Sequence, residues 1–253
     1  MGCCETRNGI LDTQKIPEPA LYESYNRPPS PVATEQPKPI IVITEEEKYA
    51  LLNNFCLSLL EDYISKLISL PIWLSIIERN KIIVQCITGS VFTSKIPVVL
   101  AHVDFNFIIS CKTIINYICF DRTWDSSIVK YEVKSTDEFF DVVIVKKFPF
   151  INRKYYCKVY VKENEKNASV IFIKNNEGKS GLDKDEVGEV VFIVINIQEN
   201  DEGTALMIVS QVDSKQEIST GLAKMAAQEM YQWLMVLRIR CASNLPQTKQ
   251  ALQ

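Results

Sequence analysis

At 253 residues the chain has room for one sizeable domain and a tail. Its 47 % apolar content is that of a globular protein, and a net charge of −3 with basic residues scattered among acids argues against nucleic acid as a partner. With one histidine, His102, and with Cys56, Cys86, Cys111, Cys119, Cys157 and Cys241 spread singly among apolar neighbours, neither a zinc centre nor any other cofactor is expected.

The chain opens Met1-Gly2-Cys3-Cys4-Glu5-Thr6, which matches the N-myristoylation pattern of Gly second and Ser/Thr sixth. Cys3 and Cys4 then stand where palmitoylation would add a second acyl chain. One myristoyl chain binds a bilayer only marginally, at about 0.8 kcal/mol per buried methylene, and no polybasic cluster follows it here. The expected location is therefore the cytoplasmic face of a membrane, held peripherally through Gly2, Cys3 and Cys4. No secretory leader is read at the start, so the cysteines are expected to be reduced thiols.

Residues 1–43 hold seven of the eleven prolines: Pro17, Pro19, Pro28, Pro29, Pro31, Pro37 and Pro39. Proline fixes its own φ, lacks an amide donor and extends the residue before it. With few large apolar groups between the prolines, burial cannot offset the entropy of ordering this stretch, which is expected to be an extended tether.

From Thr44 the pattern changes. Thr44 ahead of Glu45, Glu46 and Glu47 is a helix-start signal. Leu51, Leu52, Phe55, Leu59, Leu60 and Tyr63 recur at helical spacing, predicting a helix to about Leu70. The apolar run around 67–77 is broken by Pro71 and falls short of the roughly 20 residues a bilayer span needs. Strands are expected at 82–88 and 98–105, separated by Gly89 and Pro97, and a short buried helix at 107–119. Six further strands follow, at 128–134, 141–147, 155–162, 168–174, 189–197 and 204–212. Short Pro/Asn/Gly-bearing links between them favour an antiparallel sheet. Leu222, Met225, Ala226, Met230, Trp233, Leu234, Leu237 and Cys241 give a final helix one apolar face, closed by Pro246. The predicted class is α+β, with a helix covering one face of the sheet. The domain is expected at 44–245, with a flexible tail at 246–253.

Three pieces in order resemble the START (steroidogenic-acute-regulatory-protein-related lipid transfer) family. They are Arg122-Thr123-Trp124-Asp125, the run from Asp141 through Phe148-Pro149 to Asn152-Arg153-Lys154-Tyr155, and Gln211-Val212-Asp213 before a helix carrying Trp233-Leu234. The resemblance implies a helix-grip fold, in which a curved antiparallel sheet wraps a long C-terminal helix and leaves a tunnel for one lipid. It also implies that this helix and the loop near 149–154 act as a lid. The implied lining is Arg122, Asp125, Val142, Ile144, Tyr155, Phe192, Val194, Met225, Met230 and Trp233.

Relatives that carry phosphatidylcholine have an Arg where Asp121 stands, and a choline-caging aromatic where Val142 stands. Those departures point away from phosphatidylcholine and toward a sterol, a fatty acid or another apolar lipid, and the expected partner is a lipid ligand (sterol, fatty acid or phospholipid). Arg122 and Asp125 can equally form a structural ion pair, and Met225, Met230 and Trp233 can equally be core.

A monomeric, non-enzymatic lipid carrier or sensor is the expected function. An enzyme on the same scaffold, of cyclase or hydrolase type, would need paired ionisable groups in the cavity, for which His102 with Asp104 is the only imidazole candidate. An interaction module that presents the same shape to a protein is the third reading.

Overall fold

In the computed structural model the described residues are 57–88, 96–135, 139–147, 152–175, 187–215 and 221–244. The helix-start signal at Thr44, the residues Leu51, Leu52 and Phe55, the tether, the acylation motif and the tail lie outside them. All described residues fall within a single unit of contacts.

Helix α1 (Leu57–Ile68) turns Leu60, Tyr63, Ile64 and Leu67 inward, the i, i+3, i+4, i+7 stripe of an amphipathic helix. It is followed by β1 (Leu74–Arg79) and β2 (Ile82–Thr88), joined by a two-residue turn. Asn80 and Lys81 both carry positive φ, 56° and 57°, as a type I′ hairpin turn requires. β1 is absent from the sequence-based reading, because this turn has Asn-Lys in place of the usual Asn-Gly and the strand alternates poorly.

β3 (Pro97–Phe105) leads to α2 (Cys111–Cys119). Residues 107–110, expected as the first turn of this helix, stay outside it. Ser110 is its N-cap, with its hydroxyl accepting from the Thr113 amide at 3.3 Å. Next come β4 (Ile128–Ser135), β5 (Phe140–Lys146), β6 (Arg153–Glu163), β7 (Asn167–Lys174), β8 (Glu189–Asn200) and β9 (Gly203–Asp213). Each lies within a few residues of its expected range. Helix α3 (Leu222–Ser243) ends the described chain, starting at Gly221 (φ 90°), a left-handed position that suits glycine.

The strands form one nine-stranded sheet in the order β1-β2-β3-β9-β8-β7-β6-β5-β4, and every pair of neighbours is antiparallel. The chain builds inward from the β1 edge to β3, crosses to the far edge at β4 through α2, and returns to β9 beside β3. Period-two alternation then gives the sheet two apolar faces.

On the inner face, α3 packs along β1, β2 and β3, and α2 sits over β6, β7 and β8. On the outer face, α1 covers a second cluster made by Ile87, Val98, Ile171, Ile173, Phe192, Val194 and Val209. This is the curved sheet with a covering C-terminal helix that the resemblance implies.

Candidate functional site

The inner face is apolar across its whole width. Ile82, Val84, Ala101, Val103, Val142, Ile144, Cys157, Val159, Phe172, Ile195, Leu206 and Ile208 point into one cluster closed by α2 and α3. Of the predicted lining, Val142, Ile144 and Tyr155 are buried there, while Met230 and Trp233 border it partly buried. Phe192 and Val194 do not belong to this interior: they lie on the outer face beneath α1. A register shift between Val190 and Phe192 causes the difference, since one extra residue moves every later side chain of a strand to the other face. Met225 stands 52 % exposed in the first turns of α3, away from the buried cluster.

One polar assembly is built into the edge of this interior. α2 ends at Phe120, and the turn that follows brings Arg122 back beneath the helix. Its Nη1 donates to the Ile118 carbonyl at 3.1 Å, and its Nη2 to Asp125 Oδ2 at 2.7 Å. The helix C-terminus adds partial negative charge to that of the carboxylate. Both side chains are buried, at 9 % and 7 % exposure. Asp125 Oδ1 accepts from the Ser127 hydroxyl at 2.6 Å and from its amide at 3.1 Å. Burial alone would raise the Asp125 pKa, but the Ser127 hydroxyl and the Arg122 charge together hold it below the ordinary carboxylate value.

Aromatic rings from three elements enclose the guanidinium: Trp124 at 5.3 Å, Tyr131 of β4 at 5.6 Å and Trp233 of α3 at 5.7 Å. Trp124 Nε1 donates to the Tyr117 carbonyl at 3.0 Å, and the Tyr131 hydroxyl to the Cys119 carbonyl at 2.9 Å, which fixes both rings. Arg122 Nε is buried with no hydrogen-bond partner among the described residues.

Sequence reasoning places Arg122, Asp125 and Trp233 in one site and misses Tyr131, whose alternation with Val133 along β4 was the available signal. Ser210 adds a buried hydroxyl on the inner face of β9, in register with Val99 and Ile193.

The other candidate chemistry lies elsewhere. His102 is 45 % exposed, 3.8 Å from Asp104, and alternates with the inward-pointing Ala101 and Val103, so the pair faces away from the interior. Among the described residues no His/Cys/Asp/Glu group could hold a metal ion, and no helix is long and apolar enough to cross a membrane. Cys86, Cys111, Cys119, Cys157 and Cys241 are free, buried thiols; burial pushes Cys86 up to about 11 and Cys119, Cys157 and Cys241 up to about 12.

No family model matches the sequence, and neither does any curated protein. Solved structures do match. Human STARD10 aligns with a TM-score of 0.62 at 12 % identity, over 78 % of this chain and 83 % of that one. The human StAR-related lipid transfer protein 5 aligns at 0.63 and 11 % identity, over 77 % and 98 %. A STAR-related lipid transfer protein from Xanthomonas axonopodis aligns at 0.52 and 14 % identity, over 67 % and 98 %. Identities this low carry no information about ligand, and the likeness shows the fold. The chain has the helix-grip fold of START-related lipid transfer domains.

Proposed function

We propose that this protein binds a single lipid between the inner face of its sheet and helix α3, and carries or senses it at a membrane surface. The observation that carries the reading is a seam. Tyr131, Val133 and Phe140 on β4 and β5 border the inner cluster yet remain only partly buried, and so do Met230 and Trp233 on α3. Helix α3 lies close along β1–β3, at the other side of the sheet. A slender apolar ligand suits a boundary of that kind, and thioether and indole side chains adapt to its shape.

At one end of the seam, Arg122 Nε and the Arg122–Asp125 pair offer a hydrogen bond to a hydroxyl, carbonyl or phosphoryl oxygen. Parting α3 from β5 and from the turn before β4 would break the Lys146–Glu229 ion pair and the Trp124–Trp233 contact at 5.7 Å. That motion is the proposed lid. Acylation of Gly2 with Cys3 or Cys4 would hold the domain beside its lipid source and raise its local concentration there.

Native mass spectrometry of the full chain, purified from eukaryotic cells, tests both parts. It is expected to show one lipid per chain and the added mass of acyl groups. A chain that co-purifies with no lipid, and takes none from vesicles of mixed phospholipid and sterol, would overturn the reading.

A further inference from the structure

The chain is net acidic, yet one corner of the fold is not. Where β4 begins, β5 ends and β6 begins, the registers Ile128↔Lys146, Lys130↔Val145, Lys146↔Arg153 and Val145↔Lys154 bring cations from three adjacent strands together. Lys147 joins them, its amide bonded to the Ser127 carbonyl at 2.8 Å.

Lys130, Val145 and Lys154 occupy one face of neighbouring strands, so the two lysines start about 10 Å apart, within roughly one Debye length at 0.1 M salt. Lys147 follows directly on the end of β5 at this corner, and it is exposed. Lys146 and Arg153 flank the same corner from the other side.

Among the described residues, the carboxylates paired with this group are Glu132, 2.6 Å from Lys130, and Glu229, paired with Lys146. The Lys130 bond and the charges of Lys130, Lys154 and Lys134 hold Glu132 below the usual glutamate value, which places it inside the basic group. Among the described residues, five cations against two paired carboxylates leave an excess of positive charge at this corner. The cluster under α1 extends to Tyr160 on β6 but takes in nothing from β4 or β5.

We infer that this corner, presented by Lys130, Lys147 and Lys154 with Arg153 behind them, is a docking surface for an anionic phospholipid bilayer. The charge sign selects the partner. The surroundings favour a bilayer over an acidic peptide: Val143, Val145 and Tyr156 lie half-buried between the lysines, so long aliphatic stems can rest on them with ammonium groups at headgroup height. The ring of Tyr156 lies 5.2 Å from Lys154 Nζ. Alternating charge along the edge strand β4 disfavours pairing with another peptide strand. Docking here would bring the β4–β5 side of the seam to the membrane. The surface itself does not depend on what the interior holds.

The test uses full-length chain made without acylation and sedimented with vesicles of phosphatidylcholine, alone or with about one third phosphatidylserine. Binding is expected only with the anionic vesicles and is expected to fall as salt rises. A basic residue near such a surface contributes about fivefold in affinity, so Lys130→Glu with Lys154→Glu is expected to lose about 25-fold or more, and the matching Gln pair less. Lys66→Glu with Lys112→Glu makes the same change in net charge elsewhere and is expected to lose little.

Three results would each overturn the inference: no preference for anionic vesicles, an equal loss in the control pair, or capture of a polyglutamate peptide in place of vesicles. Native mass spectrometry of the same variants keeps the two proposals apart. A docking variant that still carries its lipid separates this surface from the interior, and loss of docking leaves the interior reading untouched.

Discussion

Replacing Arg122 by leucine removes the partner of a carboxylate that is 7 % exposed. Asp125 keeps both Ser127 bonds but loses its 2.7 Å bond to Nη2 and the charge that balances it. Stranding one member of a buried pair costs about 3–5 kcal/mol. The three ring contacts of the guanidinium add to the loss, at about 0.5–1 kcal/mol each where exposed and more where dry. Urea unfolding at pH 7 is therefore expected to show at least about 3 kcal/mol of destabilisation.

The double variant, Arg122→Leu with Asp125→Leu, removes both charges and is expected to recover most of that loss. The pH dependence follows from the depressed Asp125 pKa. In the parent protein its stabilisation is full above the unfolded-state value of about 3.9 and is lost as pH falls through the lower folded-state value. In Arg122→Leu, burial raises the Asp125 pKa, the carboxyl protonates, and the gap to the parent narrows toward pH 4. A single variant that costs under about 1 kcal/mol, or a double variant as unstable as the single, would refute the assignment of a buried, coupled pair. If the double variant folds but no longer carries its lipid, the pair also contacts ligand. If it folds and carries lipid as before, the pair is purely structural.

Two further outcomes test the placement of buried groups. Thiol reagents at pH 8 are expected to leave Cys86, Cys119, Cys157 and Cys241 unmodified in the native protein and to label them on unfolding, because burial keeps these thiols protonated and out of reach; peptide mapping reads each site, and native labelling at Cys157 would contradict its place in the core. Phe192→Ala should cost about 3–5 kcal/mol in urea unfolding, through the cluster beneath α1, without changing which lipid the protein takes up; an altered lipid at unchanged stability would return Phe192 to the inner face.

The sequence-based reading succeeds where one period controls an element and loses ground where the geometry is set by a partner. Strands β2, β3 and β9 are legible because each half of their alternation has its own cluster to fill, one under α3 and α2 and one under α1. The same double-sidedness misleads at β8: with apolar residues on both faces, hydrophobicity alone does not say which face Phe192 joins, and the register shift after Val190 decides it. At β1 the loss is local, since Asn80 and Lys81 adopt positive φ without the glycine that would announce it.

The Arg122–Asp125 pair is legible because four consecutive residues of sequence hold both partners. Its aromatic enclosure is legible only in part: the family resemblance puts Trp233 of α3 in the same lining, but nothing along the chain brings in Tyr131 of β4. The basic corner is the extreme case: Lys130, Lys147 and Lys154 are unremarkable lysines along the chain and become a single charged surface only when two antiparallel registers, β4 with β5 and β5 with β6, are fixed. A net charge of −3 therefore constrains the protein's partners less than the distribution of its charges does. If an electrostatic contact at this corner supplements the acyl chains at the N-terminus, the second membrane signal that a single myristoyl group requires need not come from Cys3 and Cys4 alone.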